Sequence, residues 1–282
     1  MAFQCLSELT EKIAETDRVA RLANNLLEGN ELISISGELS EAGHRRTTAN
    51  AMTKAALVLL SGYFEGYLKK LIEEFVGELN DLKLPLKSAG DELLLSILQH
   101  SITDNRNKSL PKALTIKNCI SGGVHFPLVQ DAIGGTKGNP TVDTVESMFQ
   151  RLGIPAIIDQ LSLRDYALES TYTTVSQSQQ LHKSIELAVD GDVAHYQKIV
   201  ELIDGKWAPK KQRRDVGYVG RIQELLKKRN RIAHGENWGE QVTPTELLDF
   251  NRDILRLCLG IGEYLSVELE KYKGLKSVSG NL

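Results

Sequence analysis

Residues 227–238 read Lys-Lys-Arg-Asn-Arg-Ile-Ala-His-Gly-Glu-Asn-Trp and carry the residue types of this chain best suited to chemistry. Arg229 and His234 have four residues between them, and the amide Asn230 directly follows the arginine. Arginine is a permanent cation whose planar fork grips a phosphate through two parallel hydrogen bonds. Histidine takes and gives a proton near neutral pH. The pair is a minimal kit for cutting RNA without a metal. The 2′-hydroxyl is itself the nucleophile, so a protein need only move protons and steady charge.

Spacing sets the geometric problem. Arg229 follows Leu225 by four residues and Leu226 by three, which places it at the edge of the stripe that a helix here would bury. Asn230 and His234 are four apart and share a face. Arg229 and His234 are five apart, about 140° around an ideal helix. They address one phosphate if the helix ends near His234, where Gly235 supplies a stop, or if two copies meet across a two-fold axis. The alternative is structural: His234 as a last-turn cation favoured by the helix dipole, and Arg229 as an ion-pair partner, for instance of Glu65.

The surrounding charge is uneven. From Lys206 to Arg231 there are ten Lys/Arg, including Arg213, Arg214, Lys227, Lys228 and Arg231, against only Asp215 and Glu224, in a chain whose net charge is −3. A compact cationic stretch on an acidic body would focus a polyanion; it would equally serve as a solvated helix face. Trp207 and Trp238 flank the motif and would stack bases or fill a core or interface.

Composition narrows the class. Apolar content of 41% and charged content of 25% are ordinary for a soluble globular chain. No basic-then-apolar leader opens the sequence and no apolar run approaches about 18 residues, so neither a secretory signal nor a membrane span is expected. Cys5, Cys119 and Cys258 are far apart and odd in number, which supports neither a disulfide framework nor a zinc site. A cytoplasmic setting follows, with no metal and no cofactor. Gly-Gly-Thr-Lys-Gly at 134–138 lacks the Gly-Lys-Ser/Thr ending of a phosphate-binding loop.

The apolar pattern predicts an all-α fold. One helix is expected from about 5 to 28, ended by Gly29-Asn30, and a long one from about 41 to 79. In the latter, Gly62 and Gly66 sit four apart and would let a neighbouring helix approach. Residues 81–140 are less regular and are read as an insertion with loops and one short helix or strand, although Asp91 to Gln99 looks helical. Thr141 is expected to cap a helix stopped by Gly153 and Pro155. Further helices are expected between 156 and 204, one from Asp215 through the motif, and a last one after Thr243-Pro244. Asp104 to Lys108 and Lys276 to Leu282 are expected to be exposed and mobile. The division anticipated is an N-terminal helical extension over 1–38 and a helical domain over 39–282, with the insertion at about 81–158.

Residues 229–235, Arg-Asn-Arg-Ile-Ala-His-Gly, resemble the Arg-polar-x-x-x-His signature of the HEPN superfamily, the higher eukaryote and prokaryote nucleotide-binding domains. Residues 55–69, Ala-Ala-Leu-Val-Leu-Leu-Ser-Gly-Tyr-Phe-Glu-Gly-Tyr-Leu-Lys, are similar to the first core helix of its RiboL-PSP-HEPN branch. So is the stretch from Asn139-Pro140-Thr141 through Phe149 to Pro155. The likeness covers about residues 40–272. It implies a HEPN-type helical bundle that dimerises into a composite site and, in many members, a metal-independent endoribonuclease of toxin–antitoxin or anti-phage defence systems, with an antitoxin or defence protein as partner. Some members bind RNA or nucleotides, or act as scaffolds, without cutting. By this likeness Arg229, Asn230 and His234 are the catalytic candidates. Glu65 is a possible supporting residue, and Lys227, Lys228, Arg231, Arg213 and Arg214 are candidates to hold the RNA backbone.

Overall fold

The computed structural model describes residues 3–29, 42–103, 109–123, 125, 128–133, 139–168, 183–187, 189, 195–199, 213, 215–235 and 239–279. These are helical almost throughout. They contain no strand, and one isolated bridge pairs Pro85 with His125. The chain divides into two compact units, residues 1–158 with 222–282, and residues 159–221.

Three long helices build the core of the first unit. They are α1 (Gln4–Glu28), α2 (Ala42–Leu82) and α9 (Pro244–Ser279), and each packs on the other two. Their buried residues recur at steps of three and four: Cys5, Leu9, Ile13, Thr16, Ala20, Ala23 and Leu26 on α1, and Leu247, Phe250, Ile254, Leu257, Ile261 and Leu265 on α9. That period is what makes one stripe of a helix dry. Polar groups lock the packed faces. Tyr67 Oη donates to the Cys258 carbonyl at 2.7 Å, and Asn251 Nδ2 donates to Asp17 at 2.7 Å. The start of α1 has no side-chain cap of its own. Glu74 of α2 accepts instead from the backbone N–H groups of Gln4 and Cys5 at 2.8 and 2.9 Å, placing an anion where the helix dipole favours one. Burial, followed by the Glu74 carboxylate, pushes the Cys5 thiol up to about 12.

The helix ends follow local chemistry. Gly29 ends α1 with φ 78°, a left-handed conformation that glycine adopts without strain. At the start of α9, Thr243 Oγ1 accepts from the Glu246 N–H at 3.1 Å, while Glu246 Oε2 accepts from the Thr243 N–H at 3.4 Å, a reciprocal capping box. At the far end of α9, Lys276 is exposed as expected and stands in the last turn of a helix that runs to Ser279, with 280–282 outside the described residues.

Between α2 and the motif, the first unit holds a 3-10 turn (Leu86–Ser88), α3 (Asp91–Thr103), α4 (Ser109–Gly122), α5 (Gln130–Ile133) and α6 (Val142–Arg151). α3 and α6 stand where helices were expected, and between them α4 and α5 are more helix than the single short element expected. Pro111, within the stretch expected to be less regular, stands in the first turn of α4, where its missing N–H costs nothing. Residues 104–108 and 134–138 lie outside the described residues. Gly62 and Gly66 also differ from expectation. A Cβ at either would meet nothing within 4 Å, and both line an open cleft of about 320 Å³ with Cys5 and Leu9 of α1 and Tyr63 and Tyr67 of α2. At that level α1 stands off from α2.

The second unit contains most of α7 (Ile157–Tyr166) and the first residues of α8 (Gly217–His234). Tyr218 ties them: its backbone N–H donates to Ser162 Oγ at 3.1 Å, its hydroxyl donates to Asp165, and its ring meets Tyr166 edge-on at 5.0 Å. Gly217, at φ 56°, lies so close that a Cβ there would sit 2.8 Å from the Ser162 side chain. Residues 183–187 and 195–199 are short helical stretches.

Candidate active site at the end of a helix

The motif occupies the last turns of α8. Ile222, Leu225 and Leu226 are buried, which fixes the rotation of the helix. Arg229 and Asn230 are then half-buried, and His234 is exposed in the final residue of the helix. Gly235 follows with φ 65° and donates its N–H to the Ile232 carbonyl at 3.4 Å, ending the helix where the spacing required. Neither Arg229 nor His234 is sealed in an interior. Among the described residues, none hydrogen-bonds or ion-pairs with His234.

The Arg229 side chain bends along the helix surface, and its Nη1 donates to Asn230 Oδ1 at 3.0 Å. That bond draws the guanidinium toward the face Asn230 shares with His234, so part of the angular gap of about 140° is closed by the long arginine side chain itself. A second donor reaches the same oxygen: Asn139 Nδ2, at 3.1 Å, from 91 residues earlier in the chain. Asn139 belongs to the Asn-Pro-Thr segment before α6 and was not among the residues expected at the site. Only its place in that segment hinted at a role.

The neighbouring cations look elsewhere. Lys228 Nζ lies 2.9 Å from Glu246 and 3.3 Å from Glu240, and it donates to the Gln241 carbonyl at 3.3 Å. Arg231 Nη1 meets the other Glu240 oxygen at 3.3 Å. Burial works against the Lys228 charge, but the Glu246 and Glu240 carboxylates outweigh it and raise this lysine above its ordinary range. Burial likewise works against the Glu240 charge, and Lys228 and Arg231 outweigh it, holding that carboxyl below its ordinary range. The 240–243 segment is pinned from the other side by α2: Asn50 Oδ1 accepts from the Val242 N–H at 3.1 Å and Thr53 Oγ1 donates to the Val242 carbonyl at 2.6 Å. Two acids absent from the linear charge count therefore sit among these cations.

Lys227 is exposed. Glu65, half-buried on α2, pairs with Lys69 at 2.6 Å. Arg213 is half-buried in the second unit. Arg214, Trp207 and Trp238 lie outside the described residues. Among the described residues, no cluster of three His, Cys, Asp or Glu stands ready for a metal ion, and no helix is long and apolar enough to cross a membrane.

The family model described as RiboL-PSP-HEPN matches residues 23–267, and the chain belongs to that family. No curated protein and no solved structure matches the chain. Membership defines a HEPN-type nuclease or a related module.

Proposed function

We propose that this protein is a metal-independent endoribonuclease acting in toxin or anti-phage defence, in the cytoplasm, as a homodimer with a composite site. The observation that carries the reading is the Arg229–Asn230 hydrogen bond, which gathers a guanidinium and an amide one turn before an exposed imidazole. In the reaction, the 2′-oxygen bonds to phosphorus and loses its proton to a base, the bond from phosphorus to the 5′-oxygen breaks, and that oxygen takes up a proton. His234 moves these protons, as base at the 2′-hydroxyl or as acid at the leaving oxygen. Arg229 steadies the extra charge on the pentavalent phosphorus. Each of these contributions is on the order of 3 kcal/mol. Asn230 orients the imidazole or the phosphate, and Glu65 supports the site from α2. The exposed Lys227 holds the RNA backbone without reading sequence. Lys228 and Arg231 do so in competition with Glu240, and Arg213 and Arg214 are further candidates to hold the RNA backbone. An antitoxin or other defence protein would restrain the activity.

Purified protein incubated with total RNA in EDTA tests the reading. Wild type should leave 2′,3′-cyclic phosphate and 5′-hydroxyl ends, and folded His234→Ala should leave the RNA intact. Cleavage surviving in His234→Ala removes the histidine from the mechanism. RNA binding without cleavage, equal in both proteins, would instead mark a non-catalytic RNA-binding or scaffold module.

A further inference from the structure

We infer that Asn139 is a positioning residue of this site, acting through Asn230; the inference rests on the ribonuclease reading. Asn side chains present an oxygen and a nitrogen of similar shape, but a guanidinium only donates. The Asn230 atom facing Arg229 Nη1 at 3.0 Å must therefore be the oxygen. The Asn139 atom facing that same oxygen at 3.1 Å must then be its NH2 group. Arg229 thus sets the direction of the whole relay, from Asn139 and Arg229 into Asn230 Oδ1. With its oxygen receiving two donors, the Asn230 amide cannot turn over without setting donor against donor. Its own NH2 group is what it then offers to a phosphate or to the imidazole one turn on.

Asn139 is well founded for this task. It precedes Pro140, which restricts its backbone to extended conformations, and the Pro140 ring is buried. The Thr141 N–H donates back to the Asn139 carbonyl at 2.9 Å. Thr141 also caps α6, accepting from the Thr144 N–H at 3.2 Å, and α6 is anchored by buried Val145, Met148 and Phe149. The donor amide therefore stands on a rigid foot, and the bond spans two elements far apart in sequence. The Asn230 orientation is in place before any substrate arrives, which is where positioning lowers a barrier.

The test uses the full chain and a defined RNA substrate, with wild type, His234→Ala, Asn139→Asp, Asn139→Ser, Asn230→Ala and the Asn139→Asp/Asn230→Ala double variant, each checked for its melting temperature. Asn139→Asp keeps the shape but sets an acceptor against the Asn230 oxygen. It should lower kcat about tenfold, the worth of one hydrogen bond, and change KM less than about twofold. Asn139→Ser keeps a short donor and should recover part of the loss. In the Asn230→Ala background the Asp substitution should cost nothing more, because the two act as one unit. If wild type and His234→Ala behave as proposed while Asn139→Asp cleaves like wild type, or its loss adds in full to that of Asn230→Ala, the role of Asn139 is overturned alone. If wild type does not cleave, the ribonuclease reading and this inference fall together; if His234→Ala cleaves like wild type, the histidine leaves the mechanism and the positioning role of Asn139 at this site is overturned with it.

Discussion

Two sides of one helical turn behave differently. Lys228 and Arg231 face Glu240 and Glu246, and their charge is spent on holding the 240–243 segment against the motif helix. Arg229 and Asn230, lying between them in sequence, face each other and Asn139, and among the described residues no acid joins that relay. Four consecutive polar residues are thereby sorted into a clamp and a site. A cation paired with carboxylates in a half-buried setting has limited capacity left for a polyanion. A guanidinium held by one neutral amide through one nitrogen keeps its full charge and most of its donors. Under the proposed reading, proximity to the motif is therefore a poor guide to which cations would meet RNA; their acidic neighbours decide.

The comparison can be broken at several points. The largest effect is expected at Arg229. Arg229→Ala should lower the rate of RNA cleavage about 10²–10³-fold in single-turnover assays, the scale of losing a charge-stabilising donor. Arg229→Lys should recover little, because a single ammonium cannot engage Asn230 and a phosphate with the geometry of a fork. A lysine variant with near wild-type rate would show that charge alone suffices there.

A smaller and different effect is expected on the clamp side. Glu240→Gln should cost stability, about 1–2 kcal/mol, read as a fall of several degrees in melting temperature. It should also tighten RNA binding, since Arg231 loses its carboxylate partner and Lys228 keeps only Glu246. The pH dependence follows from the direction of the shift. The Glu240 carboxyl sits below its ordinary range in the folded protein, so its stabilisation is complete above that range and is lost as pH falls through the lowered folded value. Wild type should therefore lose melting temperature on acidification more steeply than Glu240→Gln, and the two should converge at low pH. Parallel curves would show that the clamp contributes nothing.

The smallest effect is expected at the exposed Lys227. Lys227→Ala should weaken RNA binding evenly across sequences and reduce the salt-dependence slope by about one, measured as Kd across a series of salt concentrations. A sequence-dependent change would give this lysine a reading role.

Much of the framework was legible in the chain. The three- and four-residue spacing of apolar side chains marked α1, α2 and α9, and Thr141, Thr243 and Gly29 marked helix ends, because caps and stripes are made by residues within one turn of each other. The insertion was less legible, since Pro111 signals a loop unless it is known to stand in a first turn. Gly62 and Gly66 were misread for a related reason: small residues permit close approach but do not compel it, and here they border a cleft.

The sequence by itself determined the register of the site. Leu225 and Leu226 set the edge position of Arg229, the four-residue step put Asn230 and His234 on one face, and Gly235 stopped the helix. Only the tertiary structure chose the partners. Asn139 reaches Asn230 across 91 residues, and Glu240 divides the cations after the chain has turned back on its own helix. Helical period and caps are encoded within a single turn; which donor meets which acceptor across the fold depends on how the helices pack.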